Sequence, residues 1–202
     1  MRRSPSSRRI LRLVRPGAER RSLGRGGIRP EPGSLHAVPV EDHRFENWLW
    51  RTEPMPGAAA VVFDMDGVLS DASTRQHYLE YPFRDWEAFF HACGDDDLIA
   101  EVARLLDVLE SDLQVVLLTA RPIRVRPQTL GWLDRYQLRW DLLIMREYGD
   151  YMAARSFKQR TVTELRSREY DLRLAFEDDP RNVHMFHTQG VPCIYIHSGY
   201  YE

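Results

Sequence analysis

Lysine is almost missing from this chain. Of its 28 basic residues only Lys158 is a lysine; the rest are arginine. A lysine kept where arginine is otherwise universal points to a task for a compact ammonium that a planar guanidinium cannot do. Cysteine is scarce too. Cys93 and Cys193 lie far apart, which excludes a disulfide framework and fits a reducing cytoplasm. No apolar run approaches the ~18–20 residues of a membrane span. The N-terminal Ile10-Leu11-Arg12-Leu13-Val14 is too short and interrupted for a signal sequence. None of the seven histidines forms a spaced ligand pair with cysteine. His184 and His187 share a helix face without such support and read as helix surface.

The formal net charge of −2 conceals an asymmetry. Residues 1–30 hold ten arginines and one glutamate, a net of +9, while the remainder nets −11. Residues 1–40 mix Arg, Pro, Gly and Ser with few apolar anchors and read as disordered. They are a solvated tail, an electrostatic arm for nucleic acid, or the product of a start placed too early, since Met55 stands just before the first strand. Phe45, Trp48, Leu49 and Trp50 form a short amphipathic segment able to dock on the body. We therefore expect a largely disordered segment over 1–56 and one folded domain over 57–202.

The domain is organised around AAAVVFDMDGVLSD, residues 58–71. Ala58 to Phe63 reads as a buried strand opening into Asp64-Met65-Asp66-Gly67. Alternation places Asp64 and Asp66 on one side, where two carboxylates share a divalent cation, or one binds metal while the other moves protons. Residues 70–82 look loop-like. Leu98 to Leu109 follow helical spacing, and Asp95-Asp96-Asp97 read as acids capping that helix. Leu113–Leu118 is a second strand, ending in Thr119-Ala120-Arg121-Pro122; a hydroxyl and a guanidinium at a strand tip suit a phosphate oxygen. A helix opens at Pro127, and 141–145 is a third strand. Ser156 reads as the N-cap of a helix with Lys158 in its first turn. Leu172–Phe176 is a fourth strand, ending in Glu177-Asp178-Asp179-Pro180; a helix starts at Pro180, and 191–196 is a fifth strand. Polar clusters at successive strand ends predict an α/β fold, a doubly wound Rossmann-like parallel sheet with its site at the carboxyl edge.

Asp64/Asp66, Thr119, Lys158 and Asp178/Asp179 occur in the order of the four motifs of the haloacid dehalogenase superfamily. Residues 58–200 resemble a phosphatase of that superfamily. A closer resemblance is to the 3'-phosphatase domain of bacteriophage-type polynucleotide kinase-phosphatases. It is carried by DMDG, Thr119-Ala120-Arg121, 126–133, Met145-Arg146 with Gly149-Asp150, Lys158, Glu177 to Arg181 and the Ser198-Gly199-Tyr200 ending. The chain lacks the kinase P-loop GxxxxGK[ST], so a repair role is phosphatase-only or needs a separate kinase or ligase partner.

The resemblance implies that Asp64 attacks phosphorus to form an aspartyl-phosphate and that Asp66 is the proton carrier. Mg2+ is then held by Asp64, the Asp66 backbone carbonyl and Asp178. Phosphate is held by Thr119, Ala120, Arg121 and Lys158, and Asp179 ligates through water or orients Lys158. Retention of Asp66 excludes a dehalogenase, which lacks that acid/base. The 53 residues from Asp66 to Thr119 and the 39 from Thr119 to Lys158 leave little or no room for a cap domain. An open site suits a DNA or RNA 3'-end. A small nucleotide or sugar phosphate is the alternative substrate, and a non-enzymatic interaction module is a third reading.

Overall fold

The computed structural model describes residues 47–51, 53 and 55–201. The expectations for 1–40 and for Phe45 fall outside these residues. In chain order the elements are β1 (Trp48–Trp50), β2 (Ala59–Phe63), β3 (Ser70–Asp71), α1 (Trp86–His91), β4 (Asp97–Leu98), α2 (Ala100–Val108), β5 (Gln114–Pro122), α3 (Arg126–Arg135), β6 (Leu142–Arg146), α4 (Ala154–Ser167), β7 (Asp171–Glu177), α5 (Pro180–Thr188) and β8 (Cys193–Tyr195).

Six strands make one sheet in the order β1-β6-β5-β2-β7-β8, parallel except for β1, which runs antiparallel to β6 with Leu49 opposite Leu143. Trp48 to Trp50 of the segment expected to dock on the body do so as an edge strand, so the sheet begins ahead of residue 57. Side-chain alternation along the central strands builds two cores. Val61, Phe63, Val115 and Leu117 pack with Val102 and Leu106 of α2 and Trp132 and Leu133 of α3. Ala60, Val62, Val116 and Leu118 pack with Phe157, Val162 and Leu165 of α4 and Met185 and Phe186 of α5. Two apolar faces on one parallel sheet require helices on both sides, which is the doubly wound arrangement. No helix among the described residues is long and apolar enough to cross a membrane.

Three local expectations change. The stretch after Ser70 is not a plain loop. β3 and β4 pair as an antiparallel arm, and between them residues 72–96 fold into a small insertion of α1 and short 3-10 turns. The acid run at 95–97 does not cap α2. That helix starts after Ile99 without a side-chain cap, and Leu98 belongs to β4. Nor does Ser156 cap α4. The helix begins at Ala154, so Ser156 lies inside it and Lys158 sits one turn further in. Propensity identified these residues as cap formers; tertiary pairing decided where each helix starts.

Candidate active site at the carboxyl edge of the sheet

Two charged groups flank the end of β2. The first centres on Lys158, buried at 1% exposure. Its Nζ lies 2.8 Å from Asp64 Oδ2 and 2.6 Å from Glu177 Oε2. Asp178 completes the group: one oxygen each from Asp64, Glu177 and Asp178 lie within 4.8 Å of one another. Three carboxylates face one ammonium, so with all groups ionised the cluster is short of two positive charges. Both Asp178 oxygens are buried without a well-formed hydrogen bond, although the Ser198 side chain lies close enough to ease their charge. Burial and the neighbouring Asp64 push the Asp178 carboxyl up to about 7. Burial, then Glu177, also raises Asp64 well above the usual carboxylate range, against the pull of Lys158. Gly67, at φ +82°, makes room for Asp178, because a Cβ there would sit 2.0 Å from its Oδ2.

The second group clamps Asp66. Arg121 reaches Asp66 Oδ1 through Nε at 2.8 Å and Nη2 at 2.5 Å, and Arg75 Nη2 meets the same oxygen at 2.5 Å. Behind them Asp96, buried at 1% exposure, accepts from Arg75 Nε at 2.8 Å and Arg121 Nη2 at 3.2 Å. It also takes the hydroxyl of Ser70. Trp132 Nε1 holds the Asp96 carbonyl at 2.8 Å. Two guanidiniums and two carboxylates make this group neutral. Burial works against ionisation of Asp66, but Arg121 and then Arg75 outweigh it and bring the carboxyl down to about 2.

Asp64 and Asp66 therefore engage different partners. Alternation holds only to Phe63, after which Met65 O gathers the amides of Val68, Leu69 and Ser70 into a tight turn. Thr119 lies within β5 rather than at its tip, and its Oγ1 accepts from Arg121 N at 3.2 Å. Residues 119–121 fall in a register break between β5 and β6, which leaves the half-buried Ala120 outside that ladder. The Arg121 guanidinium has no exposed surface and is engaged by Asp66, Ser70 and Asp96. Asp179 caps α5 and pairs with Arg181 at 2.7 Å. Glu177, not Asp179, holds Lys158; its other oxygen takes Asn182 Nδ2 at 3.1 Å. Sequence reasoning missed Arg75, Asp96 and Glu177 as site residues. Glu177 was inside a quoted motif. Arg75 and Asp96 stand in ordinary polar surroundings, and only the fold brings them to Asp66.

Residues 58–201 match the family described as the Polynucleotide kinase PNKP phosphatase domain. The chain belongs to this family. Among solved structures, a chain of the Pnkp1/Rnl/Hen1 RNA repair complex is 25% identical, with a TM-score of 0.61 over 74% of this chain and 45% of that one. The chain thus spans a little under half of that relative. The class C acid phosphatase of Bacillus anthracis with tungstate bound shares the fold at 16% identity, TM-score 0.53, over 73% of this chain and 69% of that one. No curated protein matches the sequence. The protein is a haloacid dehalogenase-type phosphatase, a phosphoric monoester hydrolase.

For a phosphatase of this family the first group is the one that could hold a divalent metal. Its donors are all oxygen, the charge deficit is two, and the Asp178 oxygens want a cation. Glu177 is the least available of the three, because Lys158 and Asn182 already hold it. One prediction follows for metal-free protein. Asp178 is raised from its ordinary 3.8 to about 7, so the folded state binds more protons across that window. Its contribution to stability is full below about 3.8 and is lost as pH rises through about 7. Asp178→Asn removes this share of the loss: thermal unfolding of the variant should decline less steeply between pH 4 and 7, the remainder coming from Asp64, which is also raised, and an added divalent cation should no longer raise its Tm. A variant still stabilised by Mg2+ as the wild type is would remove Asp178 from the metal site.

Proposed function

We propose that this domain is a Mg2+-dependent phosphatase acting through an aspartyl-phosphate, and that it removes the 3'-phosphate from a polynucleotide end. The observation that carries the chemistry is the pairing of two unlike groups around β2. Asp64 stands in a cluster short of positive charge, while Asp66 stands in a neutral clamp with only its Oδ1 engaged. Unlike environments for paired acids are how sites divide roles between nucleophile and proton carrier.

Asp64 Oδ attacks phosphorus as the P–O bond to the leaving alkoxide breaks, and Lys158 offers its remaining N–H to a phosphoryl oxygen. Thr119 Oγ1 and the Ala120 backbone amide supply further contacts to that phosphate. Asp64, Asp178 and the Asp66 carbonyl would hold Mg2+, which when bound supplies positive charge against the phosphoryl oxygens. The leaving oxygen takes a proton delivered through Asp66, and Asp66 then removes one from the water that hydrolyses the acyl-phosphate. The free protein holds Asp66 ionised; a phosphate dianion arriving beside it lifts its proton affinity, as like charge does. In this reading Arg121 and Arg75 position Asp66, and Asp179 starts α5 so that Glu177 and Asp178 face the site.

The substrate assignment draws on the family match and on the similar chain in an RNA repair complex. That likeness also supports partner repair proteins such as a kinase or ligase. Both cysteines are free, in keeping with the cytoplasm. The test uses 3'-phosphorylated DNA and RNA oligonucleotides, nucleoside 3'-monophosphates and p-nitrophenyl phosphate. Release of phosphate should need Mg2+, stop with EDTA and vanish in Asp64→Asn, with oligonucleotides turned over at the highest kcat/KM. Equal turnover of mononucleotides and oligomers would sink the polynucleotide assignment and leave a small-molecule phosphatase.

A further inference from the structure

Tyr148 and Tyr151 are 84% and 93% exposed, among the most exposed large side chains of the described surface. They sit on residues 147–153, which join β6 to α4. This connection is not slack. Met152 N donates to Asp150 Oδ1 at 2.9 Å, Arg160 Nη2 meets Asp150 Oδ2 at 2.6 Å, and Arg146 Nη1 reaches the Met152 carbonyl at 2.5 Å. Gly149 turns the chain at φ +78°. A loop tied at several points nevertheless holds two aromatic rings in water, forgoing the gain of burying them.

Its position matters. β6 pairs with β5 as far as Arg146 opposite Pro122, and β5 lies beside β2. Strands stand ~4.8 Å apart, so the loop leaves the sheet roughly 10 Å from the end of β2. It then leads into α4, whose Lys158 touches Asp64. The surroundings are basic in an otherwise acidic body. Residues 113–133 contain no acid and, besides the buried Arg121, carry Arg124 and Arg126; Arg146, Arg155 and Arg160 flank the tyrosines, against Glu147 beside Tyr148. Asp150, one of two acids on the loop, is already paired with Arg160. Another exposed aromatic stretch, Tyr81 and Phe83, is bordered by Glu80, Asp85 and Glu87 with Arg84 as its one nearby cation; that net negative charge repels a polyanion.

We propose that Tyr148 and Tyr151 form a base-stacking subsite for the single-stranded nucleotides next to the 3'-terminal phosphate. Aromatic rings beside guanidiniums take any base by its face and the backbone by its charge. The subsite rests on the polynucleotide reading above, and it makes this edge of the sheet, through Arg124 and Arg146, the path of the chain away from the phosphate.

The experiment compares wild type, Tyr148→Ala/Tyr151→Ala and Tyr148→Phe/Tyr151→Phe on 3'-phosphorylated single-stranded oligonucleotides and on p-nitrophenyl phosphate with Mg2+. The Ala pair should lose at least about tenfold in kcat/KM on oligonucleotides, mostly through KM. Its p-nitrophenyl phosphate turnover and Tm should stay unchanged, and the Phe pair should behave as wild type. An oligonucleotide abasic at its last three positions should bring wild type down to the level of the Ala pair. If wild type prefers oligonucleotides and the Ala pair keeps that preference, the subsite is refuted while the polynucleotide reading stands. If wild type shows no preference over nucleoside 3'-monophosphates, both fall together.

Discussion

Lys158→Arg should cut turnover by at least about a hundredfold, the loss seen when one preorganised donor to a developing charge is removed. Charge is retained in this variant, so the effect is one of shape. The ammonium lies at 1% exposure between Asp64 at 2.8 Å and Glu177 at 2.6 Å. A guanidinium is larger and planar; it would crowd the core, at about 1–3 kcal/mol of stability, and move its N–H groups off the phosphate position. Lys158→Met goes further and leaves Asp64, Glu177 and Asp178 buried with no cation. Breaking such a group costs about 3–5 kcal/mol. Mg2+ should restore part of that loss in Tm without restoring kcat. Calorimetry with and without EDTA, beside steady-state kinetics, reads both effects. Near-wild-type turnover in Lys158→Arg would show that the lone lysine has no special task.

Arg121→Lys should show the second large effect, and its form discriminates between two roles. A buried guanidinium that holds Asp66, Ser70 and Asp96 at once cannot be replaced by a single ammonium. If Arg121 positions Asp66, kcat falls by about a hundredfold while KM stays nearly constant, and the limb of the pH–rate profile set by Asp66 moves upward. If Arg121 binds phosphate directly, as its strand-end motif suggests, KM rises instead. Stability carries a matching signature. Asp66 is depressed from 3.8 to about 2, so it stabilises the fold above pH 3.8 and loses that contribution as pH falls through about 2. Nearly two pH units correspond to roughly 2 kcal/mol at neutral pH. The variant should forfeit part of this, and Arg75→Lys less, because Arg121 keeps two contacts to Oδ1.

The order of strands and helices was legible in the sequence because the central strands are apolar runs, broken only by Arg173 in β7, that end in polar clusters. That pattern reports a parallel sheet covered on both faces; parallel topology carries the C-terminal parts of β2, β5 and β7, with Asp64, Thr119 and Asp178, to one edge, and α4 brings Lys158 to Asp64. The solitary lysine was legible for a related reason: a composition that replaces lysine everywhere else leaves its exception visible. Roles set by proximity were not legible. Asp96 looked like a helix cap because acids at 95–97 precede a helical pattern, yet the β3–β4 arm turns it inward to meet Arg75 and Arg121. Arg121 looked like a phosphate ligand because it follows Thr119, yet Asp66 comes to it across the sheet edge. Glu177 took the orienting of Lys158 expected of Asp179, since the start of α5 holds Asp179. Local sequence determined which residues stand at the ends of strands. Which charge each of them faces was decided only by tertiary structure, because a buried ion takes the counter-ion that the packed chain leaves within a few ångströms.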